Sequence, residues 1–535
     1  MSRKSLVKKE ILEKFGKENS IDLPYFLKEI SKISQAIGDF QENKPFFQGN
    51  KINFSISKKP LSSQKMYDNF KNFLSGCINW KSNRTQFNIT PPSPYTTIAA
   101  NSITSLLNPN AIWDVAEGKL GNLEVYLSKY LASLANWNNN PSGIFTFGGT
   151  GTNMYGIKIG INKSIGNFAE KGIDENVYVI SNDEGHSCHV TLCNWLGLPK
   201  KNCLRIKTNK KGIINHKMLL KKVEELIKNG KKIGCIILNG GTNFNLAIDP
   251  IRKISKGLII LKKKYSLDYL PHLHVDSVIG WVFLLFKDYD FNKNSLHFPK
   301  EIVNRLKKIY SKIKQIEFAD SFGVDFHKTC FCPYSTSTFM LKNAEDWRLI
   351  SAEGNVFIHQ DFNRGDYKPG QYSLETSRPA TGIVSAYVTL NSLGIDGIRS
   401  ILANYLYVSN DLRKRILKSK KLSSLNADSD GWATFFIVNK DRKTSFDKLY
   451  LNKYNEELSK NNLLQKEFYS FLEKKYNFQL PWFIGFNKCY KKNLYDQPIS
   501  CLKWYPMSPY MNILSNKEFI RWIEGNYEEF KNKKN

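Results

Sequence analysis

Residues 143–153 read GIFTFGGTGTN. The apolar run Gly143–Phe147 is predicted to be a strand. It ends in a glycine turn, and a helical pattern begins near Met154. Backbone N–H groups at such a turn, two threonine hydroxyls and the start of a helix together make a cradle for phosphate. The loop is not a Walker A motif, because no Lys-Ser/Thr pair follows at the required spacing, and it is not G-x-G-x-x-G. Taken alone, it reads equally as a tight turn that needs positive φ.

Outward from this turn the chain alternates. Before it, NLEVYLSKYLASLANW (Asn122–Trp137) has the period of an amphipathic helix. After it come the strand VYVIS (Val177–Ser181), a helix in HSCHVTLCNWLG ending at Gly197, CLRIKT, and the helix HKMLLKKVEELIKNG. The strand IGCIILNG (Ile233–Gly240), the helix ISKGLIILKKKY beyond Asp249-Pro250, and the strand LHVD follow. Strands alternating with helices predict a doubly wound α/β core, whose ligands sit at the carboxyl ends of the strands. Four clusters fall at those ends: GGTGTN, the turn at His186, GGTN after Leu238, and HVDS around Asp276. Past about residue 375 the texture changes to a long helical pattern followed by GWATFFIV and PISCLKWYPM. The predicted division is a helical segment 1–90, a large domain 91–374 and a smaller α+β domain 375–535.

The 535 residues are 41% hydrophobic and 24% charged, which is a globular composition and excludes disordered, collagen-like and disulfide-scaffold classes. The formal net charge is +30, but the lysines are spread along the chain at helical spacing, as in KKVEELIKNGKK. That pattern reads as a solvated surface, so a nucleic-acid partner is not expected. No apolar run approaches membrane-spanning length, and MSRKSLVKKE lacks a secretory h-region, so no membrane is expected. Nine cysteines without framework spacing fit free thiols in a reducing, cytoplasmic setting.

His272, His274 and Asp276 alternate on one strand face, so a metal is conceivable. The second histidine such sites usually carry after the aspartate is Ser277 here, and no metal is predicted. Asp276 reads instead as a strand-end carboxylate in a cleft. In DFHK, Lys328 lies between apolar segments; a lysine in a partly apolar pocket is expected to have a lowered pKa and can form a Schiff base. An ordinary loop lysine is the alternative. His186 is a ring partner or a capping histidine, and His189 is set aside as part of an amphipathic helix. A phosphate cradle, a planar ring, a carboxylate and a Schiff-base lysine are together what pyridoxal 5'-phosphate requires.

The ordered motifs GGTGTNMYGIKIG, NDEGHSCH, LNGGTNFNLAIDPI, LHVDS and DFHK resemble those of the group II pyridoxal-phosphate-dependent amino-acid decarboxylases, the glutamate and aromatic amino-acid decarboxylase family. The resemblance runs from about Pro91 to about Gly397. It implies the fold type I (aspartate-aminotransferase-like) architecture, with a large, mainly parallel domain and a small α+β domain, and a homodimer with active sites at the interface. It implies that His186 stacks on the cofactor ring, that Asp276 pairs with the pyridine nitrogen, that Lys328 carries the Schiff base and that His327 touches the phosphate. Gly151, Thr152, Thr242 and Ser277 complete the implied cofactor contacts. It also implies a mobile-loop tyrosine that reprotonates the substrate carbon in the partner's site; Tyr367 is the first candidate and Tyr372 the second, with Asn363 also near the family position.

The implied reaction is decarboxylation of an L-amino acid to an amine and CO2 through a quinonoid carbanion. Another carbon–carbon lyase reaction, an oxidative decarboxylation giving an aldehyde, and a scaffold that has lost catalysis are the alternatives. The Asn-Met-Tyr form leans toward acidic substrates and leaves aromatic, basic and aliphatic ones open. Three departures stand out: Thr242-Asn243 for Thr-Thr, Ser277 for alanine, and Asp325-Phe326 for Asn-Pro. The stretch between Asp276 and Lys328 also carries a lysine-rich insertion around Lys293–Lys314.

Overall fold

The computed structural model describes residues 21–37, 56–74, 76–112, 114–166, 172–173, 176–351, 367–440, 443–453 and 455–534. Twelve strands form two sheets among these residues. The large sheet contains β2 (Ser142–Thr146), β3 (Val177–Asn182), β4 (Cys203–Ile206), β5 (Lys232–Asn239), β6 (His272–Asp276), β7 (Ser321–Asp325) and β8 (Ser337–Leu341). Its order is β2-β8-β7-β6-β5-β3-β4. The pairings from β7 through β6, β5 and β3 to β4 are parallel, and β8 runs antiparallel to both β7 and β2. This is the mainly parallel, doubly wound sheet predicted from the strand–helix alternation.

A parallel sheet covered on both faces has buried strands, which is why IGCIILN reads as an unbroken apolar run. All of β6 and β7 and all but the first residue of β5 are buried. Leu273–Phe286, the most apolar stretch of the chain, is β6 followed by a fully buried 3-10 turn, Gly280–Phe286. On β6, His272 and His274 both bond to the Ser321 hydroxyl of β7, at 2.7 and 2.8 Å. Burial pushes both rings down to about 3, so they are neutral structural groups at pH 7. Among the described residues, no group of three or more His, Cys, Asp or Glu is arranged to hold a metal. None of the described helices is long and apolar enough to cross a membrane.

The second sheet is ordered β1-β11-β12-β10-β9: β1 (Thr85–Gln86), β9 (Leu422–Ser424), β10 (Thr434–Val438), β11 (Phe483–Lys492) and β12 (Pro498–Trp504). Its edge strand β1 comes from the segment before residue 91 and pairs parallel with β11. The C-terminal unit is thus completed by the N-terminal chain. Four helices matter for the site: α1 (Tyr95–Leu107), α2 (Leu120–Leu134), α3 (Gly149–Ile165) and α4 (Thr381–Lys418). Helix α4 breaks at Gly394, where φ is 65°, and it packs on α1, α2 and the small sheet. The lysine-rich insertion forms the helix Lys300–Ile313. Lys308 and Lys312 pair with Asp430 at 2.8 and 2.6 Å, and Arg305 donates to the carbonyls of Asp430 and Gly431. The insertion therefore clamps a small-domain loop onto the large domain.

Candidate active site

A cavity of about 800 Å³ opens where the carboxyl ends of β3, β5 and β6 face β11. His186, Thr242, Asp276 and Lys328 all line it. Four predicted site residues from four separate segments thus meet in one cleft. Gly151, Thr152, Ser277, His327 and Tyr367 are not on its wall.

Helix α3 starts at the glycine turn, not near Met154 as predicted. Gly148, at φ 131°, adopts a conformation that a side chain would strain, and Gly149 is the first helical residue. The Thr152 hydroxyl is buried and donates to Gly149 O at 2.8 Å. It is spent inside its own helix. Asn153, next in the turn, donates to Asp276 Oδ2 at 3.1 Å and to Gly149 O at 3.0 Å.

Asp276 ends β6. Its Oδ2 also takes the ring Nε2 of His189 at 3.2 Å, and the other ring nitrogen of His189 bonds Ser181 Oγ at 2.7 Å. Burial alone would raise the Asp276 pKa. The His189 contact and the charge of Lys328 override it and hold the carboxyl well below the usual range. Its Oδ1 is buried with no partner among the described residues. Asp276 is therefore an ionised acceptor with one open valence on the cavity wall. His189, set aside in the sequence because it continues a helical pattern, is the residue that orients it. The legible signal was a histidine on the buried face of a short helix, which must have a polar partner. The neighbouring Ser277 hydroxyl is buried and bonded to Gly323 O at 2.6 Å.

His186 lies in the turn after β3 and is exposed toward the cavity. The turn is held by Arg205 of β4, whose guanidinium donates to the carbonyls of Gly185 (2.6 Å), Asp183 and His186 (both 3.2 Å). Cys188 N donates to His186 Nδ1 at 3.2 Å. Arg205 is a second contributor that sequence patterning did not single out. Across the cleft, Lys491 of β11 pairs with Glu184 at 2.7 Å, with both side chains nearly buried, and ties the small sheet to this turn.

Lys328 sits in the short helix after β7. Its ammonium is 2.7 Å from Oδ2 of Asp325, a fully buried carboxylate. Burial would lower the Lys328 pKa, but Asp325 more than offsets this and the net shift is upward. This corrects the expectation of a lysine with a lowered pKa: the acid three residues earlier reverses the sign. Thr242 Oγ1 accepts from the backbone of Ala247 at 3.1 Å, which shapes the GGTN loop. His327 Nδ1 meets Thr336 N at 3.2 Å and O at 3.1 Å, and its ring packs 4.3 Å from that of Tyr334.

Tyr367 lies away from the cleft of its own chain. It is buried in a cluster with Tyr155, Phe339 and Trp347, and its hydroxyl donates to Glu124 of α2. The same carboxylate takes Arg378 and the backbone N–H of Phe145. Arg378 also donates to the carbonyls of Ala111 (2.6 Å) and Phe145 (3.0 Å). Tyr367 is thus tied into an internal ion-pair network. Tyr372 stacks on Trp347 with centroids 4.1 Å apart. Asn363 lies outside the described residues.

Comparison with known proteins gives the following likenesses. The pyridoxal-dependent decarboxylase conserved domain matches residues 46–298. L-2,4-diaminobutyrate decarboxylase of Acinetobacter baumannii is 23% identical over 331 residues, which cover 58% of this chain and 59% of that protein. Acidic amino acid decarboxylase GADL1 of Xenopus tropicalis is 23% identical over 399 residues, 72% of this chain and 71% of that protein. Among solved structures, the glutamate decarboxylase domain of diaminobutyrate-pyruvate transaminase and L-2,4-diaminobutyrate decarboxylase from Vibrio parahaemolyticus superposes with a TM-score of 0.74 at 14% identity. That match covers 98% of this chain and 100% of the other. Mouse CSAD in apo form gives 0.75 at 13% identity, over 94% and 98%. These likenesses carry the fold.

Proposed function

We propose that the chain decarboxylates an L-amino acid to the corresponding amine with pyridoxal 5'-phosphate as cofactor, a reading supported by the match of residues 46–298 to the pyridoxal-dependent decarboxylase conserved domain. The observation that carries this reading is the convergence of Lys328, Asp276 and His186 on one cleft. The open Oδ1 of Asp276 fits the cofactor at its ring end: a buried anion there lacks a donor, and a protonated ring nitrogen supplies one. Bound, the cofactor supplies an aldehyde that captures amines and a ring that accepts the electron pair left when CO2 departs.

The chain's own residues do the rest. Lys328 presents the amine that anchors the cofactor and that the substrate amine replaces. Asp276, held ionised by His189 and the charge of Lys328, would keep a proton on the ring nitrogen. His186 covers the ring from the turn that Arg205 fixes, and narrows the space left to water. Tyr367 has no part in proton transfer in this arrangement; its hydroxyl is bound to Glu124. A homodimer and a cytoplasmic location belong to the same proposal.

The test is a visible spectrum of the purified chain with pyridoxal phosphate, borohydride reduction and peptide mapping, followed by a panel of amino acids scored for CO2, amine and aldehyde. A reduced adduct on Lys328 and equimolar CO2 and amine are expected. No adduct would overturn the assignment, and aldehyde in place of amine would move it to oxidative decarboxylation.

A further inference from the structure

Asp325 stands at the junction of β7 and the turn that carries Lys328, and it is fully buried. Its Oδ1 accepts from Ser337 Oγ of β8 at 2.6 Å. Its Oδ2 pairs with Lys328 Nζ at 2.7 Å and lies 3.5 Å from His327 Nε2. The fourth side of the carboxylate is the start of α3. A Cβ built on Gly149 would fall 2.8 Å from Oδ2 and 3.1 Å from Oδ1, so only glycine leaves room there. The first turn of a helix carries N–H groups without intrahelical acceptors and the positive end of the dipole. In the glycine turn read as a phosphate cradle, the chain has placed an anion of its own.

We infer that Asp325 competes with the cofactor's phosphate for the start of α3, so that this chain holds pyridoxal phosphate mainly by its aldehyde and ring and gains little from the phosphate. The inference rests on the proposed function. Two observations support it independently of each other. One is the contact with Gly149, which puts the carboxylate against the helix start. The other is the ion pair, in which Lys328 is the cation balancing Asp325. Once Lys328 is engaged by an aldehyde, that balance is weakened while a phosphate adds negative charge to the same corner. The other ionisable groups acting here do not replace it. His327 is buried, and burial draws its ring below the usual imidazole value. The His186 ring is lowered in the same way, and Asp276 adds a second negative charge to the field at Lys328. Ser337 and the first residue of α3 are neutral. The sequence difference has the same sense: the resemblance sets Asn-Pro where this chain has Asp325-Phe326. An amide there would keep the shape and remove the charge.

The experiment compares two aldehydes that differ only in the phosphate. Pyridoxal phosphate and pyridoxal are titrated against the full-length, cofactor-stripped chain at neutral pH, read by visible absorbance and by quenching of intrinsic fluorescence. In the wild type, the phosphate is expected to improve affinity by less than about thirtyfold, and Asp325→Asn is expected to multiply that advantage by about fivefold or more. A larger wild-type advantage overturns the inference, as does a smaller gain in the variant. Equal tightening of both aldehydes in Asp325→Asn also overturns it, because it would mean that Asp325 acts only on Lys328. If the variant does not fold, the wild-type ratio alone decides. If neither aldehyde forms an absorbing adduct with either protein, the proposed function itself falls, a result distinct from adducts that show no phosphate discrimination.

Discussion

Replacing His189 by phenylalanine keeps the ring volume and removes both polar contacts. Asp276 then loses one of the two donors on its Oδ2, the 3.2 Å contact with Nε2, and keeps Asn153 at 3.1 Å. A hydrogen bond to a charged group contributes about 1.5–3 kcal/mol. At 1.36 kcal/mol per unit, the Asp276 pKa should rise by about one to two units. It starts well below the ordinary carboxylate range, so the group stays ionised at pH 7 and is weakened rather than lost. The carboxylate is then less firmly oriented, so the dissociation constant for pyridoxal phosphate should rise and kcat should fall, each by at most about 150-fold, the full value of the lost hydrogen bond. A double-mutant cycle isolates the cause. In an Asp276→Ala background, His189→Phe should change cofactor affinity by less than about threefold, because the acceptor it served is gone. Equal losses in both backgrounds would refute the relay and leave His189 as a packing residue. Ser181 loses its partner in either background, so its cost cancels in the cycle.

Three further outcomes follow from the site's surroundings. Glu124→Gln leaves the buried Arg378 guanidinium uncompensated and should cost about 3–5 kcal/mol in urea unfolding. Tyr367→Phe, by contrast, should leave the rate of CO2 release within about threefold and cost about 1 kcal/mol of stability, since the hydroxyl serves Glu124 and not the substrate. Burial pushes Asp249 up to about 7, against donors from Ile214, Asn239 and Asn182 that pull it down. Between about pH 4 and 7 the folded chain then keeps a proton that the unfolded chain releases. Stability should fall by up to about 4 kcal/mol as pH rises through that window and level off above it, and Asp249→Asn should flatten the urea midpoint against pH.

The large sheet was legible in the sequence because its strands are continuous apolar runs ending in glycine, histidine or aspartate clusters. Those clusters also marked the strand ends that meet at the cleft. Five strands, β1, β7, β8, β9 and β11, were not picked out, and for two of them the physical reason is plain. β8 lies inside TCFCPYSTSTFML, where no polar alternation marks its start, and β11 carries three lysines in FIGFNKCYKK. Residues whose role depends on a distant partner were illegible. Tyr367 and Glu124 are 243 positions apart, and nothing local to the loop reports that the pair closes. The sign of the Lys328 shift was within reach, because Asp325 stands three residues earlier. What sequence alone lacked was the burial that keeps water from screening the pair.

The two-residue strand β1 has a consequence for how the protein is made. Thr85 and Gln86 pair with β11, and Gln86 Nε2 reaches Met511, 425 positions later in the chain. At about 5–20 residues per second, a ribosome needs about 20 to 85 s to synthesise the chain between them. During that interval the large domain has every strand it needs, while the segment around β1 waits for a partner still to be translated. Birth order and assembly order therefore run opposite at this edge: an early-made strand is among the last to dock. A stalled or prematurely terminated chain would display it as an open sheet edge, the kind of surface that chaperones engage and that aggregation exploits.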